Sequence, residues 1–193
     1  MPIVGWRKRY GRIDFSQGVQ LVPKLMIATA VPLLSSTVAM AAGKSVEINA
    51  VTAEGTGKAL GTATLSEGAS GLSIKLDVSG VTDGEHGFHV HEKGDCGPSM
   101  KDGKMAAANA AGPHYDPKGA KSHKGPEGSG HEGDLPKLVA KGGKIEQTVT
   151  VKDLKLADVA GRSLMIHEGG DNYSDEPENG GGKGRIACGV IAK

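Results

Sequence analysis

Leu72-Ser73-Ile74-Lys75-Leu76-Asp77-Val78 alternates apolar and polar side chains at every step. Successive side chains of a strand point to opposite faces, so a period of two gives one buried and one solvated face. Outward from this stretch, short segments of similar character recur between glycine-rich turns, at 46–53, 58–65, 87–91, 137–140, 145–151, 163–167 and 185–191. Together they make eight short strands, and helical periodicity is visible only around 153–160. The pattern predicts an all-β fold, an eight-stranded antiparallel sandwich or flattened barrel.

Composition agrees. The 193 residues are 37% hydrophobic but only 3% aromatic, so one domain has its core built from Val, Ile, Leu and Ala. The 31 glycines follow no collagen-like period and read as turns and loop corners. Net charge is +1, unevenly spread. Residues 1–41 carry Arg7, Lys8, Arg9, Arg12 and Lys24 against Asp14 alone; of the chain's 23 basic and 22 acidic residues, 18 and 21 remain in 42–193, a charge of −3. A nucleic-acid-binding domain would be basic, so that class is excluded.

The amino terminus reads as an export signal. A basic stretch precedes the apolar run 25–34, and Ala39-Met40-Ala41 supplies an A-x-A cleavage site. The expected division is a cleaved signal peptide over 1–41 and one domain over 42–193. Ten apolar residues with a proline are too short to span a bilayer, so no stable membrane association is expected. The basic region is long for a signal, and a start near Val19 or Val22 from a non-AUG codon is an alternative. Export makes the two cysteines, Cys96 and Cys188, candidates for a disulfide in an oxidising compartment, the alternative being two buried thiols.

Two long irregular stretches, 92–136 and 168–184, interrupt the strands, and loops this long inside a compact domain are functional or disordered. In Gly87-Phe88-His89-Val90-His91 the histidines share one face of a strand about 6.6 Å apart, within reach of one metal ion, although such a pair alone is more often two packed or surface histidines. His167 ends the apolar strand Leu164-Met165-Ile166; usually such a histidine is a rim residue, but with His89 and His91 it would make a nitrogen-rich site that suits copper. In the first loop His114, His123 and His131 are spaced by nine and eight residues, with Asp134 three further on. Three imidazoles and a carboxylate suit a closed, structural zinc site, although spacing alone serves a solvated histidine-bearing loop equally well.

The surrounding sequence carries a resemblance. His86-Gly87-Phe88-His89-Val90-His91-Glu92, Gly112-Pro113-His114-Tyr115-Asp116-Pro117, Gly130-His131-Glu132-Gly133-Asp134-Leu135-Pro136, Gly169-Gly170-Asp171-Asn172-Tyr173-Ser174-Asp175 and Arg185-Ile186-Ala187-Cys188-Gly189-Val190-Ile191 resemble the copper/zinc superoxide dismutase family in its bacterial, exported branch. The five motifs stand in the family's order across 45–193. The resemblance implies an immunoglobulin-like Greek-key barrel or sandwich with two functional loops. It implies one copper per chain on His89, His91, His114 and His167, and one zinc on His114, His123, His131 and Asp134, His114 bridging the two. By the same resemblance Asp171 ties a copper-ligand histidine to a zinc-ligand histidine, Arg185 is the active-site arginine, Cys96 pairs with Cys188, and His86 either packs or supports a ligand from behind rather than being a ligand.

The implied reaction is a one-electron shuttle on copper: one superoxide is oxidised to dioxygen, and a second is reduced, with two protons, to hydrogen peroxide. The resemblance makes His114 both bridge and proton carrier, and a permanently charged arginine suits a small anion. With −3 on the domain, attraction must come from a local positive funnel, to which Lys183 is expected to add. Glu132 stands where relatives carry an apolar residue, and Glu176 and Glu178 make the second loop more acidic than its bacterial counterparts. The competing reading is a non-catalytic metal-binding or copper-delivery domain on the same fold, which would lack copper ligands or the arginine. The periplasm is the expected location, secretion the alternative, and a homodimer the expected assembly with a monomer as alternative.

Overall fold

The structure, a computed structural model, describes residues 43–193 and, ahead of them, only Gly11 and Gly18. The signal peptide expected over 1–41 lies outside the described residues. Among the described residues eleven strands form: β1 (Lys44–Thr52), β2 (Gly55–Gly68), β3 (Gly71–Ser79), β4 (Gly84–His86), β5 (Phe88–His91), β6 (Ser99–Lys101), β7 (Lys104–Ala106), β8 (Leu138–Ala140), β9 (Lys144–Val151), β10 (Ser163–His167) and β11 (Arg185–Val190). One short helix, α1 (Leu156–Val159), falls within the stretch where helical periodicity was visible. Among the described residues no helix is long and apolar enough to cross a membrane.

All eight expected strands are present, and seven of them make one antiparallel sheet in the order β5-β10-β11-β1-β2-β3-β9. The eighth, β8, pairs instead with the short β4, and β6 with β7 makes a separate hairpin. Alternation in β3 does what its sequence dictates: Leu72, Ile74, Leu76 and Val78 are buried and meet the β9 face that carries Ile145, Val149 and Val151. The curled sheet encloses these residues with Ile48, Leu65, Phe88, Val90, Leu164 and Ile166 in one core.

Two features of this sheet position the site. β5 ends the sheet order, which would leave one edge unpaired, and the long loop covers that edge. Val90 donates its N–H to the Gly133 carbonyl at 2.8 Å, Tyr115 donates to the Val90 carbonyl at 2.8 Å, and Leu135 donates to the Phe88 carbonyl at 3.1 Å. On the other side β10 pairs with β5 and β11, and the β10–β11 register slips between Ile166 and His167, setting His167 opposite Arg185. An irregularity of this kind re-aims the side chains beside it.

Candidate metal centre

β5 is buried on both faces, which its sequence explains: Phe88 and Val90 enter the core, while His89 and His91 take the other face. The loop laid along β5 brings His114 opposite His91 and Asp134 opposite His89. His167 joins them from the end of β10. The expected ligands therefore meet in two groups, His89-His91-His114-His167 and His114-His123-His131-Asp134, each with candidate ligand atoms within 4.8 Å of one another. A third group, His89-His123-Asp171, links them. His114 belongs to both of the first two.

The ring nitrogens sort by what they touch. His91 donates Nδ1–H to the Gly112 carbonyl at 2.8 Å, which leaves Nε2 free. His89 and His123 turn Nε2 to the two oxygens of Asp171, at 2.8 Å each, which leaves their Nδ1 atoms free. His114 turns Nδ1 to Asp134 Oδ1 at 2.9 Å, which leaves Nε2 free. The freed atoms, together with the ring nitrogens of His167, are buried without a hydrogen-bond partner. Orphaned buried polar atoms are costly, and a cluster of them aimed inward fits metal ions as the missing partners.

Donor chemistry fits each group to a different metal. The first offers four imidazole nitrogens, a set that suits copper. In the second, Asp134 Oδ1 lies 2.9 Å from His114 Nδ1, 2.9 Å from His123 Nδ1 and 3.3 Å from His131 Nδ1. Tetrahedral zinc with bonds of about 2.0–2.1 Å spaces its ligands by about 3.3 Å, so the second group is close to that arrangement.

Electrostatics separates the two groups further. Burial pushes His91 and His167 well below the ordinary histidine range, helped by the neighbouring rings and Arg185, and keeps both neutral. Burial also lowers His89, against the pull of Asp171. His114 falls to about 4, chiefly through burial and the nearby His89. His123 is the exception: burial lowers it, but the Asp134 and Asp171 carboxylates beside its two ring nitrogens outweigh that and raise it to about 9. Burial raises Asp134 and Asp171, yet their histidine partners win and hold both well below the carboxylate range.

Arg185 is half-buried and reaches from β11 to the loop after the β6–β7 hairpin. Its two terminal nitrogens donate to the Ala108 carbonyl at 2.7 Å and the Gly112 carbonyl at 2.8 Å. The Gly112 oxygen thus holds both Arg185 and His91. Three of the five guanidinium donors remain for a ligand in the adjoining cavity of about 390 Å³, which His114 also lines. Lys183 lines a neighbouring hollow with Arg185. Glu178 lines the main mouth, 3.9 Å from Lys101, whereas Glu176 does not. Cys96 and Cys188 are disulfide-bonded, the sequence expectation. His86 is buried, with its ring nitrogens 2.7 Å from the His167 carbonyl and 2.8 Å from the Thr82 carbonyl, and it belongs to none of the candidate ligand groups.

Sequence reasoning missed the backbone part of the site. The Ala108 and Gly112 carbonyls that hold Arg185 carry no side-chain signal. Gly180, at φ +69°, lies so close under Asp171 that a Cβ would collide with Asp171 Oδ1 and come within 2.9 Å of His123 Nε2. The run Gly180-Gly181-Gly182 was visible, and its function is to let the loop pass over Asp171 and His167.

Comparison with known proteins agrees with this geometry. The family model described as copper/zinc superoxide dismutase matches residues 59–191. A protein of Brucella melitensis named Cu-Zn superoxide dismutase is 48% identical over 174 residues, covering 89% of this chain and 99% of that protein. Among solved structures, a Cu/Zn superoxide dismutase from Brucella abortus is 51% identical with a TM-score of 0.76, over 77% of this chain and 99% of that one. The structure of a copper, zinc superoxide dismutase from Salmonella enterica, described as monomeric, is 48% identical with a TM-score of 0.69, over 78% of this chain and 99% of that one.

Proposed function

This chain belongs to the copper/zinc superoxide dismutase family, and from that premise we propose that His89, His91, His114 and His167 hold copper while His114, His123, His131 and Asp134 hold zinc. The protein is an oxidoreductase that converts superoxide to dioxygen and hydrogen peroxide, with copper and zinc as cofactors. The observation that carries the division of roles is that one side chain, His114, belongs to both ligand groups. A domain that only carried copper would be expected to lack some of these ligands or the arginine, and this chain has them all.

Copper bound at the first group supplies the one-electron couple, and zinc at the second is redox-silent. The protein's own residues do the rest. Arg185, fixed by two carbonyls, offers its remaining donors to the anion in the cavity it shares with His114. His114 Nε2, free of any protein partner, would hold a proton beside that anion only while copper does not occupy it. Asp171, gripping Nε2 of both His89 and His123, fixes the ring that faces each metal, as such outer carboxylates do.

The test is the purified mature protein, expected to carry one copper and one zinc and to dismute superoxide. Its rate should fall with added salt at low ionic strength. Arg185→Ala is expected to lower kcat/KM by about ten- to a hundredfold with both metals retained, the worth of a hydrogen bond to a charged group. Full metal occupancy without turnover would sink the enzyme reading.

Proton release checks the ligand assignment separately. Metal-free His123, raised to about 9, is protonated at pH 7 and must lose its Nδ1 proton to bind zinc. His114, lowered to about 4, is already neutral and loses its last ring proton only when both metals hold it. Zinc alone should therefore release about one proton at pH 7 from His123, and copper added afterwards about one more from His114. Calorimetry in buffers of different ionisation enthalpy reads both. The zinc-linked release should vanish as pH climbs through about 9, where His123 is already deprotonated. Release at pH 7 unchanged in His123→Ala would reject His123 as the source.

The periplasm is the proposed location. The Cys96–Cys188 bond supports it, because disulfides persist in oxidising compartments, and secretion is the alternative. A homodimer stays part of the proposal, the monomeric state described for the Salmonella relative being the alternative that sedimentation would distinguish.

A further inference from the structure

His131 stands between two cavities. One is the mouth already described, about 390 Å³, with Arg185 and His114 in its wall. The other, about 250 Å³, is lined by His131 together with Asp134, Glu132, Asp153 and Lys118. His131 is the single residue common to both linings. It is also the accessible member of its group: its side chain is 16% exposed, against 3% for His114, 1% for His123 and none for Asp134.

The two openings differ in sign. Lys101 and Arg185 outnumber Glu178 around the mouth, which suits an anion and repels a divalent cation. In the second cavity Glu132, Asp134 and Asp153 outnumber Lys118, which does the reverse. Glu132 also has the means to be displaced into use. Its carboxylate is held by Lys118 at 2.6 Å, and that lysine is 74% exposed. With its lysine largely in solvent and its carboxylate 22% exposed, this ion pair is modest in strength and yields to a doubly charged ion.

We propose that the second cavity is the loading port for zinc, with Glu132 taking the ion from solvent and passing it to His131 and Asp134. The proposal rests on the zinc assignment above and adds the route. Carboxylate oxygen and imidazole nitrogen are both zinc donors, so the ion exchanges one protein ligand for another on its way in. Zinc thereby avoids the cationic mouth, and the anionic substrate avoids the acidic port. Lys118 is the latch, neutralising Glu132 while no cation claims it.

Stopped-flow uptake of zinc by the metal-free, disulfide-bonded full chain, followed with a fluorescent zinc chelator, tests the route. Glu132→Gln should slow association by about tenfold, within the range by which local charge changes on-rates. Zinc dissociation should slow to match, leaving the equilibrium affinity nearly unchanged. Lys118→Met should speed uptake severalfold, and Glu178→Gln, in the other mouth, should leave it as it was. An association rate unchanged by Glu132→Gln, or slowed equally by Glu178→Gln, overturns the port. Failure of the zinc assignment itself looks different: His131→Ala would then keep full zinc affinity.

Discussion

Replacing His114 with alanine is expected to reduce dismutation to background and to strip copper and zinc together, the largest functional loss available from one side chain. The ring contributes Nδ1 to the group around Asp134 Oδ1, at 2.9 Å, and leaves Nε2 free among His89, His91 and His167. Its centroid lies 4.0 Å from that of His89 and 5.0 Å from that of His91, so no neighbouring ring can take its place without leaving its own. Without it each group keeps three of its candidate ligands, and only the Asp171 carboxylate still joins the two groups. Single-group variants give the contrast: His167→Ala should lose copper and activity but keep zinc, and His131→Ala should lose zinc first. Asp171→Ala removes no ligand but orphans Nε2 of both His89 and His123, and should weaken metal binding about 10–100-fold. Metal content per chain after dialysis, measured beside activity, reads all four. Full zinc retained in His114→Ala would refute the bridge.

The same residues show which parts of the molecule a sequence declares. β10 is legible end to end, because Leu164, Met165 and Ile166 form one apolar run that stops at a histidine. β2 runs well past the expected 58–65 because its glycines hide the alternation from a hydrophobicity pattern. The β6–β7 hairpin was missed for a different reason: its strands are mostly exposed and show no buried face to read. Its turn was nevertheless written in the sequence, since Asp102-Gly103, at φ +51° and +77°, is the dipeptide a two-residue hairpin turn prefers. β4, three residues long, is too short for any period to show. The candidate ligands were legible because histidine and aspartate carry their chemistry in their side chains. The Ala108 and Gly112 carbonyls were not, because every residue has one and only the fold selects which two meet Arg185. The two openings on either side of His131 likewise depend on loop packing.

Those carbonyls make the disulfide a functional element, and its removal is expected to have the largest effect on stability. Cys96 and Cys188 are 92 residues apart, and in the chain-entropy account opening a loop of that length costs about 4–5 kcal/mol. Urea unfolding of metal-free Cys96→Ser/Cys188→Ser beside the parent should show this as a lower midpoint. A second effect follows from where the bond sits. Cys188 packs with Val51, Ala108, Ala111 and Met165, and Cys96 and Ala107 close over the same cluster. The bond therefore ties the segment from Cys96 to Gly112 against β11, the strand that carries Arg185. That segment supplies both carbonyls that hold the guanidinium, and the Gly112 oxygen also holds His91. Metal-loaded protein without the disulfide should thus lose part of the rate that Arg185→Ala loses, by freeing the same side chain. In the Arg185→Ala background removal of the disulfide should cost little more, because the group it positions is gone. Rate losses that simply add would separate the two, since residues acting through one contact are non-additive.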